Sequence, residues 1–327
     1  MTVSAYAPAA ALFPLRVERE CWDDLLTRQL LDANERIAAG AVPPRLDVAS
    51  FRAELAAYDF AVPAPVDGTL AWTIAQLERG VTHMTHPRYF GLFNPAPTVP
   101  AQHADRIAAA LNPQLATATT SPAAVAIEAH TIRAVAQRAG LPEGAAGHFT
   151  SGGAEANNTA LICALTRAHP KFATEGARAF PAAPVFYISR ESHLAWLKIA
   201  HQAGIGRDAA RLVATDGSGR MDMAALTAMI ESDRREGRVP IMLVATAGTT
   251  NAGMIDPLRP CAEIARTHGL WYHIDAAWGG GVIASDKLRP LLDGLDTADS
   301  VTIDAHKWFA TTMGCGMFIA RDPTVLS

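Results

Sequence analysis

At 327 residues, half of them hydrophobic and with a formal charge of -4, the chain exceeds one typical domain and has no basic block that would serve nucleic acid. Cys21, Cys163, Cys261 and Cys315 fall in no CxxC or Cys/His ligand spacing, so they read as buried thiols of a reducing compartment and give no metal site. The amino terminus lacks a basic leader and no run approaches the ~18 apolar residues of a membrane span, so a soluble, cytoplasmic protein is expected.

Trp22, Leu25, Leu26, Leu30 and Ile37 recur near helical spacing and predict an amphipathic helix over 22–38. A second is expected over 50–58 and a third over about 69–80, after the link VPAPVDG. Having no core of their own, these helices make residues 1–85 an N-terminal segment that lies on the main domain, 86–327, or on a partner subunit. Residues 87–100, PRYFGLFNPAPTVP, are too rich in proline and glycine for a helix and predict an ordered loop. Tyr89, Phe90 and Phe93 there are candidates to line a pocket for an apolar or aromatic side chain.

Beyond residue 121 helices alternate with short β-branched runs. Helix 122–138 precedes the glycine turn TSGGAEAN (150–157) and helix 156–168; strand PVFYIS, a helix from about 193, strand RLVAT, turn DGSGR and a helix from about 222 follow. Strand IMLVAT, a helix over 257–268 and the strands LWYHID and SVTID complete the series. This order predicts an α/β domain whose mostly parallel sheet is covered by helices on both faces.

Three places carry chemistry. Gly152 and Gly153 let backbone approach an anion at the start of a helix, although such a turn is often only structural. Asp275 stands at a strand's carboxyl end, where α/β sheets bind ligands, followed by the small residues Ala276 and Ala277. SVTIDAHKWF delivers Asp304, His306 and Lys307, one of only four lysines, beside the apolar Trp308 and Phe309. A desolvated lysine loses its proton more easily and can attack an aldehyde. Phosphate cradle, carboxylate and amine are the parts that pyridoxal 5'-phosphate requires.

With HPRYFG (86–91), SHLAWLK around His193, DGSGRMD, ATAGTTNAG, YHIDAAWGG and DAHKW, the chain from about residue 80 onward resembles the group II pyridoxal-phosphate-dependent decarboxylases. These act on aromatic amino acids, glutamate, histidine or diaminobutyrate. The resemblance implies the large domain of fold type I, aspartate aminotransferase-like, and a homodimer that decarboxylates an L-amino acid to an amine. It implies catalytic roles for Lys307 as the Schiff-base lysine, Asp275 as partner of the pyridine nitrogen and His193 stacked on the ring opposite Ala277. Gly153 and Ala154 would hold the phosphate with His306 beside it, and Thr250 would contact the cofactor near Asp275. An aminotransferase or desulfurase-like enzyme is the alternative within the same cofactor class.

Family members continue past the lysine into a mobile loop with a catalytic tyrosine and a small carboxyl-terminal domain. This sequence stops at Ser327, 20 residues after Lys307, with no tyrosine after Tyr272. The expectation is a chain without that domain, either a fragment or a truncated protein that binds cofactor without efficient turnover.

Overall fold

The computed structural model describes residues 12–59, 61–62, 64–91 and 94–326 and divides into two units, Met1–Gly91 and Leu92–Ser327. The first unit holds α1 (Arg16–Ala39), α2 (Val48–Ala56) and α3 (Val66–Gly80). Asp47 caps α2 by accepting from the Ala49 amide at 3.0 Å, satisfying one of the donors a helix start leaves open. Phe51 stacks on Trp72 with centroids 6.1 Å apart, and Arg36 pairs with Glu78. Of the described residues in these three helices only Ala33 is buried, so the apolar stripes read from the sequence stay largely uncovered within this unit.

The second unit opens with α4 (Val99–Leu111), a helix that starts within the last two residues of the loop expected over 87–100 and runs on through residues to which the sequence assigns no element. The reason is local: Pro100 lies in the first turn, where its missing N–H costs nothing, and Thr98 caps the helix through the Ala101 amide at 3.3 Å. There follow α5 (Pro122–Arg138), β1 (Ala146–Thr150), α6 (Gly153–Ala168), β2 (Pro184–Ser189), α7 (Ala195–Gln202), β3 (Ala210–Val213) and α8 (Met223–Arg235). Then come β4 (Val239–Thr246), α9 (Leu258–His268), β5 (Trp271–Asp275), β6 (Ser300–Asp304) and β7 (Gly316–Ala320).

The strands form one sheet in the order β1-β7-β6-β5-β4-β2-β3. From β6 to β3 all neighbours are parallel, while β7 runs antiparallel between β1 and β6. The sheet is thus mixed but mostly parallel, with two strands, AGHFT and GMFIA, that their glycines had concealed.

β2, β5, β6 and β7 are buried at every position, as strands covered on both faces must be. Successive residues turn to opposite sides. Tyr272, Ile274, Val301 and Ile303 join α5, α8 and α9 in one apolar cluster, and Phe186, Ile188, Met242 and Val244 join α6 and α7 in another. Crossover helices on both faces leave the carboxyl ends of the parallel strands open, which is where the site lies.

Candidate active site

β4 and β5 end level, Thr246 opposite Asp275, and β6 continues to Asp304 beside them. Above these ends is a cavity of about 210 Å³ lined by residues of the second unit alone. Gly153, Ala154, His193, Thr250, Asp275, Ala277, His306 and Lys307 all line it. Residues distant in sequence are brought together because each sits in the loop after a strand or in the first turn of a helix.

The cradle is built by β1 turning into α6. No side chain caps α6, and its first turn opens toward the cavity with Gly153 and Ala154 in the wall. Glu155 folds back to accept from the Ser151 amide and hydroxyl at 2.7 and 2.6 Å, which fixes the turn from outside. A Cβ on Gly153 would lie 3.1 Å from Ala277 Cβ and 3.0 Å from Asp304 Oδ2, so any larger residue here would push these neighbours back by a few tenths of an ångström, and glycine lets the helix approach closely.

Asp275 is 5% exposed and accepts on both oxygens: Oδ2 from Asn157 Nδ2 at 2.8 Å and Trp196 Nε1 at 3.2 Å, Oδ1 from the Ala277 amide at 3.2 Å. Lys307 Nζ lies 2.9 Å from Asp304 Oδ2, with the lysine side chain 15% exposed. Burial raises the Asp304 carboxyl above its ordinary range, and Lys307, then His306, pull it back. Asp304 Oδ1 is buried with no hydrogen-bond partner among the described residues. His306 is held through its Nδ1, 3.0 Å from the Cys315 carbonyl oxygen. His193 stands exposed at the rim, where its Nδ1 accepts from the Ala195 amide at 3.1 Å.

The loop carrying Lys307 is pinned from both sides. Ala310 donates its amide to the Lys307 carbonyl at 3.0 Å and accepts from the Thr98 amide at 2.9 Å. It does so at φ 51°, a left-handed conformation that is strained for alanine.

Several lining residues escaped the sequence reading: Asn94, Asn157, Thr246, Gly248, Trp278 and Met313, with Asp304 noted only as a strand end. From the loop that begins at residue 87, Asn94 reaches the cavity, its Nδ2 3.0 Å from Met313 Sδ. Tyr89 and Phe90 belong to the first unit, Phe90 with its ring exposed, and Phe93 lies outside the described residues. Asn157 had a visible sign, since an amide one turn into a helix that is otherwise apolar on its buried face needs a partner. Among the described residues no group of three or more His, Cys, Asp or Glu side chains is placed to hold a metal ion.

Residues 69–327 match the model of the pyridoxal-dependent decarboxylase conserved domain. The chain belongs to the pyridoxal-dependent decarboxylase family. Among its relatives, L-2,4-diaminobutyrate decarboxylase of Rhizobium meliloti is 37% identical over 265 residues, covering 80% of this chain and 52% of the relative. Cysteine sulfinic acid decarboxylase of Mus musculus is 36% identical over 241 residues, 74% of this chain and 48% of the relative. Two family crystal structures superpose with TM-scores of 0.88: mouse CSAD, 29% identical, covering 94% of this chain and 64% of that one, and Oryza sativa TDC with PLP, 26% identical, covering 95% and 68%. The chain therefore has the α/β large-domain architecture of fold type I and spans about half the length of the curated relatives it matches.

Proposed function

We propose that this chain is the cofactor-binding core of an amino-acid decarboxylase that takes an L-amino acid to its amine and CO2. One observation carries the reading: a single cavity gathers an uncapped helix start, a carboxylate that only accepts hydrogen bonds, and a lysine of low exposure. Pyridoxal phosphate fits these residues. The glycine-permitted approach of α6 suits a phosphate, and the donor-ringed Asp275 suits a protonated pyridine nitrogen.

Gly153 and Ala154 would hold the phosphate with His306 beside them, Asp275 the ring nitrogen, His193 and Ala277 the two ring faces, and Thr250 the edge near Asp275. Lys307 would supply the amine for covalent attachment. When bound, the cofactor supplies an electron sink for the pair released as CO2 departs. Before Lys307 can act as a nucleophile its ammonium must give up a proton, and Asp304 Oδ2, at 2.9 Å, is placed to accept it. His193, exposed at the rim, would orient the substrate's carboxylate.

L-2,4-Diaminobutyrate, cysteine sulfinate and aspartate, the substrates in the relatives' names, share a short side chain with a second ionisable group. They head the panel we would test, with aromatic amino acids as the contrast. We also infer a cytoplasmic homodimer. All four cysteines are unpaired, no helix among the described residues is long and apolar enough to cross a membrane, and α4 exposes Val99, Ile107 and Leu111.

The test is direct. Chain loaded with pyridoxal phosphate, reduced with borohydride and digested, should carry a phosphopyridoxyl group on Lys307, and it should release CO2 from at least one amino acid of the panel. Label on another lysine, or keto-acid formation without CO2, would overturn the reading.

A further inference from the structure

Asp275 sits at the end of a buried chain of hydrogen bonds that the proposed chemistry does not use. Trp271 Nε1 lies 2.8 Å from Ser300 Oγ, Ser300 Oγ 2.8 Å from His273 Nδ1, and His273 Nε2 3.0 Å from Asn157 Oδ1. Asn157 Nδ2 then donates to Asp275 at 2.8 Å. His273 and Ser300 are wholly buried, and Asn157 is 3% exposed.

The carboxylate end sets the direction of the chain. With the Asn157 NH2 turned to Asp275, Asn157 Oδ1 faces His273 and can only accept, so a neutral imidazole carries its proton on Nε2 and leaves Nδ1 as an acceptor for the Ser300 hydroxyl. Ser300 Oγ in turn accepts from the Trp271 indole N–H, which can only donate. The imidazole is neutral because burial pushes His273 down to about 4. Thr302 Oγ1, 3.3 Å from Nε2, can share that proton as a second acceptor. At the far end a carboxylate can only accept, which requires the Asn157 NH2.

The amide of an asparagine is nearly symmetric in shape, so packing alone does not decide which end faces Asp275. Turned over, Asn157 would set a carbonyl oxygen against a carboxylate oxygen. We infer that His273 is a positioning residue for the reaction: its Nε2–H fixes the Asn157 amide with the NH2 toward Asp275, and so keeps Asp275 aimed at the cofactor's ring nitrogen as an acceptor. This rests on the reading of Asp275 as that nitrogen's partner. The other ionisable groups around Asp275 are His273 on its own strand, Asp304, His306 and Lys307 at and after the end of β6, and His193 at the rim of the cavity.

The experiment reads the ring nitrogen itself. The chain is loaded with pyridoxal phosphate labelled with nitrogen-15 in the ring, and its NMR shift is followed with pH for the wild type, Asp275→Ala, His273→Leu and His273→Gln. Gln retains an N–H donor near the place of Nε2, whereas Leu has none. The wild type should hold a protonated ring nitrogen and Asp275→Ala should lose it. In His273→Leu the proton should come off about one pH unit lower, a ten-fold change of the size expected when a hydrogen bond to a charged group is lost, and His273→Gln should restore it.

If Asp275→Ala leaves the ring nitrogen as in the wild type, the reading of Asp275 fails and the inference with it. If Asp275→Ala moves the ring nitrogen but His273→Leu does not, the inference alone is overturned. Should His273→Leu not fold, the wild type still decides, since nitrogen-15 shifts of the His273 ring must show Nε2 protonated and Nδ1 bare. The opposite tautomer would overturn the relay.

Discussion

β5 and β6 bury both of their faces, yet the two faces have opposite chemistry. On one, Tyr272, Ile274, Val301 and Ile303 pack into the larger apolar cluster. On the other, Trp271, His273 and Asp275 alternate along β5, and Ser300, Thr302 and Asp304 along β6. Stability needs no buried polar row, because each such group must be given a partner to avoid a desolvation cost of about 1–3 kcal/mol. On β5 and β6 the first face is given wholly to packing, whereas the second, beyond Trp271, carries the charge and proton positions of the site.

That division can be broken from either side. The largest effect is expected at the mouth of the polar face. Lys307→Ala should remove covalent cofactor attachment and lower CO2 release by roughly a thousand-fold or more. Turnover retained near the wild-type level would remove Lys307 from the chemistry.

On the opposite face, Ile303→Ala should cost about 3 kcal/mol in denaturant unfolding, since Ile303 is wholly buried. Folded Ile303→Ala protein should retain the cofactor's absorption spectrum. A changed spectrum would mean that the two faces are not separable.

On the polar face, acid should act through His273. The folded-state value of His273, about 4, lies below its ordinary 6.5, so the unfolded chain takes up a proton first as pH falls. The contribution of neutral His273 is complete above pH 6.5 and is lost toward about 4, up to roughly 3 kcal/mol. Asp256, pushed up to about 6 by burial, opposes this trend, because its protonation on folding adds stability as pH falls through the same range. Comparing wild type with His273→Gln cancels Asp256. The variant's stability deficit should therefore shrink between pH 7.5 and 4.5; an unchanged deficit would show that His273 titrates alike in the folded and unfolded chain, and a growing one that it is charged when folded.

The smallest effect concerns the strained loop. Ala310→Gly should raise stability by about 1 kcal/mol, because glycine adopts φ 51° without the clash that alanine suffers.

Much of this arrangement was legible in the sequence where chemistry is local. TSGGAEAN, the strand end YHIDAA and DAHKW each declare a turn, a charge and its surroundings within a few residues, and the six site residues they hold line one cavity, together with His193 and Thr250, which only the family resemblance pointed to. The polar alternation of WYHID and SVTID was also there to be read, but its meaning depends on α6 lying across it with Asn157, 116 residues from His273. β1 and β7 were not legible, because five-residue strands containing glycine are recognised only once paired, Thr150 opposite Gly316. α4 was lost to Pro100, a breaker in mid-helix and a harmless residue in the first turn.

The antiparallel β7 also acts as a ruler. The cradle follows β1 and the amine follows β6, and β7 lies between them, hydrogen-bonded to both. Paired strands keep a spacing of about 4.8 Å, so the gap between anion anchor and nucleophile is set by two ladder steps of main chain. Side-chain substitution can retune the affinity at either end, whereas the span that a ligand must match is fixed by the backbone.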